Sequence, residues 1–165
     1  MVDVVDEEDR VVGVTPRADM RGLNLPHRTA YVLCRNSGGD VFVHLRTATK
    51  DVYPSMYDAF FGGVAASGEP IEQTAHREFA EEAGVEGAEL RFCFKEFFED
   101  DRSRQWASIY ETSWDGPLVL QVEEVESGEW VALEKMVGLM NERPFVPDGR
   151  ALFLMWLGQH AARHD

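Results

Sequence analysis

The chain has 165 residues, 44% hydrophobic and 28% charged, a balance typical of one folded globular domain covering residues 1–165. Its formal net charge of −14 argues against general binding to nucleic-acid backbones and to anionic membranes, which need a basic surface. No apolar run approaches the roughly 18 residues of a membrane span, and the first ten residues lack the pattern of a signal peptide. Cys34 and Cys93 have no metal-ligand spacing, so we expect reduced thiols in a cytoplasmic protein.

Apolar alternation and turn signals predict strands on both sides of a central helix. Residues 2–17 are expected to form two short strands around an acidic turn. Residues 28–35 and 40–45 are expected to pair as a hairpin through a turn of Asn, Ser and two glycines. A short strand at 59–61 is expected to end at the pair Gly62-Gly63. The remaining predicted strands are 89–98, 105–113 and 129–133.

Three helices are predicted among and after these strands. The central helix has Pro70 at its first position, runs to about residue 83, and is ended by Gly84 in a left-handed conformation. A short helix is expected at 133–141, and Asp148 is expected to cap a C-terminal helix. That helix turns four large side chains inward: Leu152, Phe153, Trp156 and Leu157. The order of elements implies a mixed sheet between helices, an α/β architecture.

The central helix combines an apolar stripe with carboxylates at the edge of that stripe. The stripe consists of Ile71, Ala75, Phe79 and Ala83. Glu78 and Glu82 are like charges four residues apart, and Glu81 and Glu82 lie at the negative end of the helix dipole. A bound divalent cation reverses these unfavourable terms, and carboxylates suit Mg²⁺. A solvated acidic face, in which Arg77 pairs with Glu81, is the alternative.

The fixed residues around this helix form one motif: Gly63, Glu69, Arg77, Glu78, Glu81, Glu82 and Gly84 followed by Val85. The motif resembles the signature box of the Nudix hydrolases at every fixed position. The resemblance implies a Nudix-type α/β/α sandwich with a mixed β-sheet, and Mg²⁺- or Mn²⁺-dependent hydrolysis of a diphosphate in a nucleoside diphosphate linked to another moiety, or in a related organic diphosphate.

The same resemblance assigns roles to the residues of the motif. Glu78, Glu81 and Glu82 are expected to bind the metal, with the carbonyl of Gly62 or Gly63 as a further ligand. Glu69 and Arg77 are expected to pair and to hold the loop against the helix. In many Nudix enzymes a carboxylate several residues before the equivalent of Trp130 completes the site, and Glu124 has that position. Either Glu78 or Glu124 is expected to act as the general base.

Residues upstream of the box are similar to the Nudix branch that includes isopentenyl-diphosphate isomerase. The likeness lies in residues 3–14, His27-Arg28, and the spacing of Arg46, Lys50 and Pro54. It implies that Arg46 and Lys50 hold the diphosphate, although two surface cations would also explain them. His27 is expected to pack at the start of a strand.

The isomerase chemistry does not carry over with this likeness. The catalytic cysteine of the isomerase aligns with Gly62, and its metal-binding histidines align with Val64 and about Met20. Its downstream glutamates align with about Ser103 and Gln105. An isomerase is therefore the weaker alternative to a hydrolase, and a non-catalytic nucleotide-binding module is the other.

The pattern leaves the organic group of the substrate open. Aromatic residues that could contact this group or lie in the core are Tyr53, Tyr57, Phe60, Phe61 and Trp106. The expected partner is a small organic diphosphate, with neither nucleic acid nor membrane. Nudix proteins often form dimers, so a homodimer is one expected state. Asp100 and Asp101 are expected to lie in a solvated turn.

Overall fold

A seven-stranded mixed sheet forms the centre of the computed structural model, which describes residues 1–164. The strands are β1 (Val2–Val5), β2 (Val11–Thr15), β3 (His27–Arg35), β4 (Val41–Arg46), β5 (Tyr57–Asp58), β6 (Phe60–Val64), β7 (Arg91–Glu99), β8 (Arg104–Ser113) and β9 (Val125–Val131). The helices are α1 (Arg17–Gly22), α2 (Ile71–Ala83), α3 (Met136–Glu142) and α4 (Pro147–His164). Among residues 1–164, no helix is both long and apolar enough to cross a bilayer.

Strand β3 is the centre of the sheet. It runs parallel to β8 from the pair His27–Gln105 to the pair Arg35–Ser113, and it runs antiparallel to β6. The N-terminal pair β1 and β2 forms a separate antiparallel hairpin, as predicted. The two strands predicted at 89–98 and 105–113 are present as β7 and β8, and they pair antiparallel. Two strands distant in sequence, β6 and β8, are therefore brought against β3, and their residues meet at one end of the sheet.

Hydrophobic residues on the two faces of the sheet form two cores. Leu33, Phe60 and Ile109 belong to one core, and it includes residues of α3 and α4. Val32 and Phe61 belong to the other core, which includes the apolar stripe of α2. Neighbouring residues of one strand point to opposite faces of a sheet, so Phe60 and Phe61 enter different cores. The result is the predicted α/β/α sandwich.

The predicted hairpin of residues 28–35 and 40–45 is confirmed only next to its turn, where β3 and β4 are antiparallel neighbours. Strands β3 and β4 share one pair, Arg35–Val41, and then separate. The antiparallel edge of β3 is occupied by β6, and β4 pairs instead with β9 and β5. Pairing with β4 also extends β9 back to Val125, so the predicted strand 129–133 began too late.

Several predicted boundaries differ from the structure. Gly62 and Gly63 lie within β6 and do not follow it, because Gly62 pairs with Tyr31 and Gly63 with Ala30. Asp148 is the second residue of α4 and not its cap, because the helix begins at Pro147. Residues 133–141 begin as a 3-10 turn, Leu133–Lys135, before α3. Helix α2 ends at Ala83 before the left-handed Gly84, with φ of 69°, as predicted, but Pro70 is the cap before the helix and not its first residue.

Candidate active site

A cavity of about 770 Å³ lies among β3, β6, α2 and the loop that follows β4. We call it the central cavity. Its lining includes nearly all of the predicted site residues: Arg46, Lys50, Gly62, Gly63, Arg77, Glu78, Glu81 and Glu124. Glu82 lies next to it, because its Oε1 accepts the amide hydrogen of Gly62 at 3.1 Å. Strand pairing and helix α2 thus bring together residues that are far apart in the sequence.

The two glycines of β6 permit this close approach of strand and helix. A Cβ atom on Gly63 would lie 2.7 Å from Glu78 Oε1, so any side chain there would displace that carboxylate. A Cβ atom on Gly62 would overlap the backbone oxygen of Ala30 on the neighbouring strand. Gly63 is therefore required for the position of Glu78, and Gly62 for the pairing of β6 with β3.

Glu82 is a buried carboxylate beside a second carboxylate. Only 5% of its surface is exposed. Burial, and then the charge of Glu78, raise the pKa of Glu82 to about 8, while Lys50 acts in the opposite direction. The donor set is therefore two carboxylates in a low-dielectric setting, which a hard divalent cation would stabilise.

The predicted pair of Glu69 and Arg77 is present. Arg77 Nε lies 2.9 Å from Glu69 Oε2, and Arg77 Nη2 lies 3.0 Å from Glu69 Oε1. The hydrogen bond from Arg77 lowers the pKa of Glu69 to about 2. Arg77 Nη2 also donates to the Val64 carbonyl at 3.2 Å, and Nη1 donates to Glu78 at 2.9 Å. One guanidinium thus connects the loop after β6 with helix α2 and a box carboxylate.

Glu81 is placed differently from the other two box glutamates. Its side chain is 50% exposed and lies 3.5 Å from Arg77 Nη1. Across residues 1–164, no three His, Cys, Asp or Glu side chains are already arranged as a cation site. The structure therefore brings Glu78 and Glu82 together, and it leaves Glu81 at the rim of the central cavity.

The two predicted diphosphate-binding cations also line the central cavity. Arg46 donates to the backbone oxygens of Val52 at 2.8 Å and Tyr53 at 3.2 Å, and so it fixes the loop after β4. Lys50 forms an ion pair with Glu124. Burial is the main reason that the pKa of Lys50 is lowered. The candidate base Glu124 is thus paired with a candidate phosphate-binding cation.

Several polar residues of the cavity were not found from the sequence. Tyr31, Asp58, Ser103 and Asp148 line it together with two arginines of the α1 region, Arg17 and Arg21. Gln105 is buried among them and bonds Asp148 Oδ2 at 2.9 Å. The available signal in the sequence was that some of these polar residues, such as Gln105, lie at inward-facing positions of a strand. The alternation of side chains along a strand assigns such positions to the core and does not distinguish a cavity from it. Asp148 was interpreted as a helix cap, which hid its contact with the sheet.

The predicted aromatic residues have different environments. Tyr53 lines the central cavity, and its hydroxyl lies 2.5 Å from Asp100 Oδ2. Asp100 also accepts the amide hydrogens of Arg102 and Ser103, so it is a bonded turn residue and more than a solvated one, whereas Asp101 is exposed. The other aromatic residues lie outside the cavity lining: Tyr57, Phe60, Phe61 and Trp106.

The histidine and cysteine predictions agree with the structure. His27 is buried at the start of β3, and its Nδ1 lies 2.9 Å from the Leu25 oxygen. Burial lowers the pKa of His27 to about 4, so the ring is neutral at physiological pH. Cys34 is buried and Cys93 half-buried, and both are free thiols.

Known proteins resemble this chain in sequence and in fold. The NUDIX domain family matches residues 25–157. A Nudix hydrolase of Streptomyces coelicolor is 41% identical over 155 residues, which are 93% of this chain and 86% of that protein. The crystal structure of DR0079 from Deinococcus radiodurans has a TM-score of 0.79 and 27% identity, covering 89% of this chain and 93% of that one.

A third relative shares the fold at lower identity. The NUDIX domain of Shewanella oneidensis NrtR, solved with ADP ribose, has a TM-score of 0.62 and 17% identity, covering 92% of this chain and 100% of that one. The extent of the family match and the identity to the Streptomyces protein show the family. The chain therefore belongs to the Nudix hydrolases, enzymes that cleave diphosphate linkages.

Proposed function

We propose that the protein is a divalent-metal-dependent pyrophosphohydrolase. Its substrate is a nucleoside diphosphate linked to another moiety, or a related organic diphosphate. The observation that carries this proposal is the meeting of buried Glu82 and Glu78 with the cations Arg46 and Lys50 at one cavity. In a site for a metal–diphosphate complex, carboxylates bind the metal ion, and Arg and Lys side chains bind the phosphate oxygens.

The metal is proposed as Mg²⁺ or Mn²⁺. Glu78 and Glu82 fit such an ion by donor chemistry, and the space left by Gly63 keeps Glu78 beside the strand. Glu81 and a backbone oxygen of Gly62 or Gly63 are the further proposed ligands. When bound, the ion supplies neutralisation of phosphate charge and a more acidic water.

The side chains of the protein bind and orient the diphosphate. Arg46 and Lys50 neutralise phosphate oxygens, and the carbonyl contacts of Arg46 keep its guanidinium in place. A phosphate that reaches Lys50 competes with Glu124 for the ammonium group. Release of Glu124 from that ion pair leaves a carboxylate free to accept a proton from the attacking water. Glu78 is the other candidate for this role.

A non-catalytic nucleotide-binding module is the second candidate function. The ADP ribose bound by the NrtR domain supports binding of a diphosphate by this fold. The complete box glutamates favour the hydrolase, because binding alone does not require a second carboxylate, Glu78, beside the buried Glu82. Isomerisation is not proposed, since Gly62 and Val64 stand at the positions aligned with the isomerase cysteine and histidine.

The proposed function is tested with nucleotide sugars, dinucleoside polyphosphates and nucleoside triphosphates, each with Mg²⁺ or Mn²⁺. We expect Glu82→Gln to lower kcat about a hundredfold, since it removes a carboxylate from the metal site. Glu72→Gln is the matched control, because Glu72 is exposed on the same helix. Full activity of Glu82→Gln would contradict the proposal that Glu82 binds the metal ion. Tight binding without turnover under any metal would favour the binding module.

A further inference from the structure

One part of the central cavity is polar and is not used by the proposed reaction. Thr29, Tyr31, Asp58, Ser103 and Asp148 line this part, and Gln105 is hydrogen-bonded to four of them. We call these six residues the polar floor. They come from β3, β5, the turn before β8, β8 and α4.

Gln105 fixes the geometry of the polar floor. Its Oε1 accepts from the Thr29 hydroxyl at 2.5 Å and lies 2.7 Å from the Tyr31 hydroxyl. Its Nε2 donates to Asp148 Oδ2 at 2.9 Å and to Ser103 Oγ at 3.2 Å. Both acceptor sites and both donors of the amide are used, so the amide cannot rotate without loss of hydrogen bonds. Hydrogen bonds through Gln105 thus hold five of the six floor residues together.

Asp58 is the member of the floor with unused capacity. It is 5% exposed, it lines the cavity, and its Oδ1 accepts the amide hydrogen of Phe60 at 3.0 Å. Within residues 1–164, no side chain donates a hydrogen bond to this carboxylate, whose donors are the backbone amides of Phe60 and Ala59. Its Oδ2 is open to the cavity, so it can accept a hydrogen bond from a ligand.

The polar floor adjoins the box glutamates. Tyr31 of the floor pairs with Gly62 across β3 and β6, and the Gly62 amide donates to Glu82. A group attached to a diphosphate at Glu82 and Lys50 would therefore extend onto the floor within the same cavity.

The charge around the floor restricts the kind of donor. Burial, and then the charge of Asp148, raise the pKa of Asp58 to about 7. Part of the Asp58 population is therefore protonated and uncharged near physiological pH. Arg17 and Arg21 line the same cavity but are paired with Asp51, so Arg46 is the arginine of the three that would repel an ammonium group. An alkyl group would cover Asp58 without donating to it. Hydroxyl groups carry no charge, and each can donate a hydrogen bond to Asp58 as well as accept one. They therefore match the floor in charge and in hydrogen bonding.

We propose that the polar floor selects a substrate whose diphosphate carries a polyhydroxylated group, such as a sugar, over one that carries an alkyl or isoprenyl group. Asp58 accepts a hydrogen bond from a hydroxyl of this group and is the main specificity residue. This inference rests on the proposed function, because the floor acts on the group attached to the hydrolysed diphosphate.

Two diphosphates with a single organic group test the inference: α-D-glucosyl diphosphate and n-hexyl diphosphate. With Mg²⁺ at pH 8, where most Asp58 carboxyl groups are ionised and can accept a hydrogen bond, we expect the wild type to favour the glucosyl compound at least about tenfold in kcat/KM. Asp58→Asn keeps the acceptor for the Phe60 amide but turns a donor toward the cavity, so the preference should fall at least about fivefold. Asp101→Asn, in an exposed turn, is the control and keeps the wild-type ratio.

Equal kcat/KM values in the wild type, or an unchanged ratio in Asp58→Asn, would overturn the inference. A binding measurement separates this failure from failure of the proposed function. Calorimetric Kd values are measured for the same two compounds with Ca²⁺, whether or not turnover is seen. Tighter binding of the glucosyl compound that weakens in Asp58→Asn would support the floor even in a non-catalytic protein. Equal affinities, or binding of neither compound, would overturn it.

Discussion

The two adjacent glycines of β6 have separate roles, which neighbouring side chains explain. A methyl group on Gly63 would meet only the end of the flexible Glu78 side chain, whereas a methyl group on Gly62 would meet the backbone of Ala30. Side-chain ends move at little cost, but a paired strand does not. Consequently, Gly63 controls the position of the site carboxylate, and Gly62 controls the pairing of β6 with β3.

We expect Gly63→Ala to lower kcat at least about tenfold while the free energy of unfolding changes by less than about 1 kcal/mol. Gly62→Ala should instead lower the free energy of unfolding by about 2 kcal/mol or more, because β6 must move away from β3. Activity assays and urea unfolding measure the two effects. Gly138→Ala is the control, since a Cβ atom there meets nothing within 4 Å. A loss of stability in Gly63→Ala equal to that in Gly62→Ala would contradict this division.

Asp58 makes the stability of the protein depend on pH. Its pKa is raised from 3.8 to about 7 in the folded chain, mainly by burial. Between these values the folded chain keeps a proton that the unfolded chain releases, so this contribution to stability falls as pH rises and is lost through pH 7. We expect wild-type stability to fall relative to Asp58→Asn by at most about 1.4 kcal/mol per pH unit in this window.

Urea unfolding at pH 5, 6, 7 and 8 measures this difference. Asp101→Asn should follow the wild type at every pH, because Asp101 is exposed in a turn. Parallel curves for the wild type and Asp58→Asn would show that burial does not hold the proton on Asp58.

At the level of elements, the end of helix α2 is set by the residue that follows it, Gly84, as much as by the apolar stripe of the helix. Gly84 has φ of 69°, and its amide donates to the Ala80 oxygen. A Cβ atom on Gly84 would lie 2.8 Å from the Val119 side chain and 3.0 Å from the Val119 oxygen. The end of the box helix is therefore fixed by backbone conformation and by a packed loop together.

We expect Gly84→Ala to lower the free energy of unfolding by at least about 1–2 kcal/mol, through the left-handed conformation and the contact with Val119. Gly158→Ala in α4 is the matched control and should be neutral or stabilising by up to about 1 kcal/mol, because its Cβ meets nothing within 4 Å. Urea unfolding of both variants gives the comparison. A neutral Gly84→Ala would mean that the loop at Val119 moves without cost.

Elements with local signals were predicted well, but the main partners of β3 and β4 in the sheet were not. The bounds of α2 follow from Pro70, the apolar period and Gly84, which act within one or two turns. The separation of β4 from β3 depends on competition by β6 for the edge of β3, and such competition has no local signal. Helix α1 was missed, because its six residues show no apolar stripe.

At the scale of the whole molecule, the central cavity shares the acidic character of the chain, whose net charge is −14. Its lining has more carboxylates than cations: Asp51, Asp58, Glu78, Glu81, Glu123, Glu124 and Asp148 against Arg17, Arg21, Arg46, Lys50 and Arg77. A divalent cation bound by the box glutamates would reverse the local potential, while distant surface charges are screened beyond about 10 Å at moderate salt. We therefore expect this acidic protein to accept a diphosphate where a bound cation acts together with the cavity cations.

The sequence by itself determined the family, the box helix and the residues that a local motif spaces: Glu69, Arg77, Glu78, Glu81 and Glu82. Helical periodicity fixes such spacings, because each residue turns the helix by the same angle. Only the tertiary structure decided that Glu81 lies at the rim while Glu82 is buried. It also decided the polar floor, where Tyr31 and Asp148 meet across 117 positions of the chain. Contacts of that range depend on sheet order and register, and no local pattern encodes them.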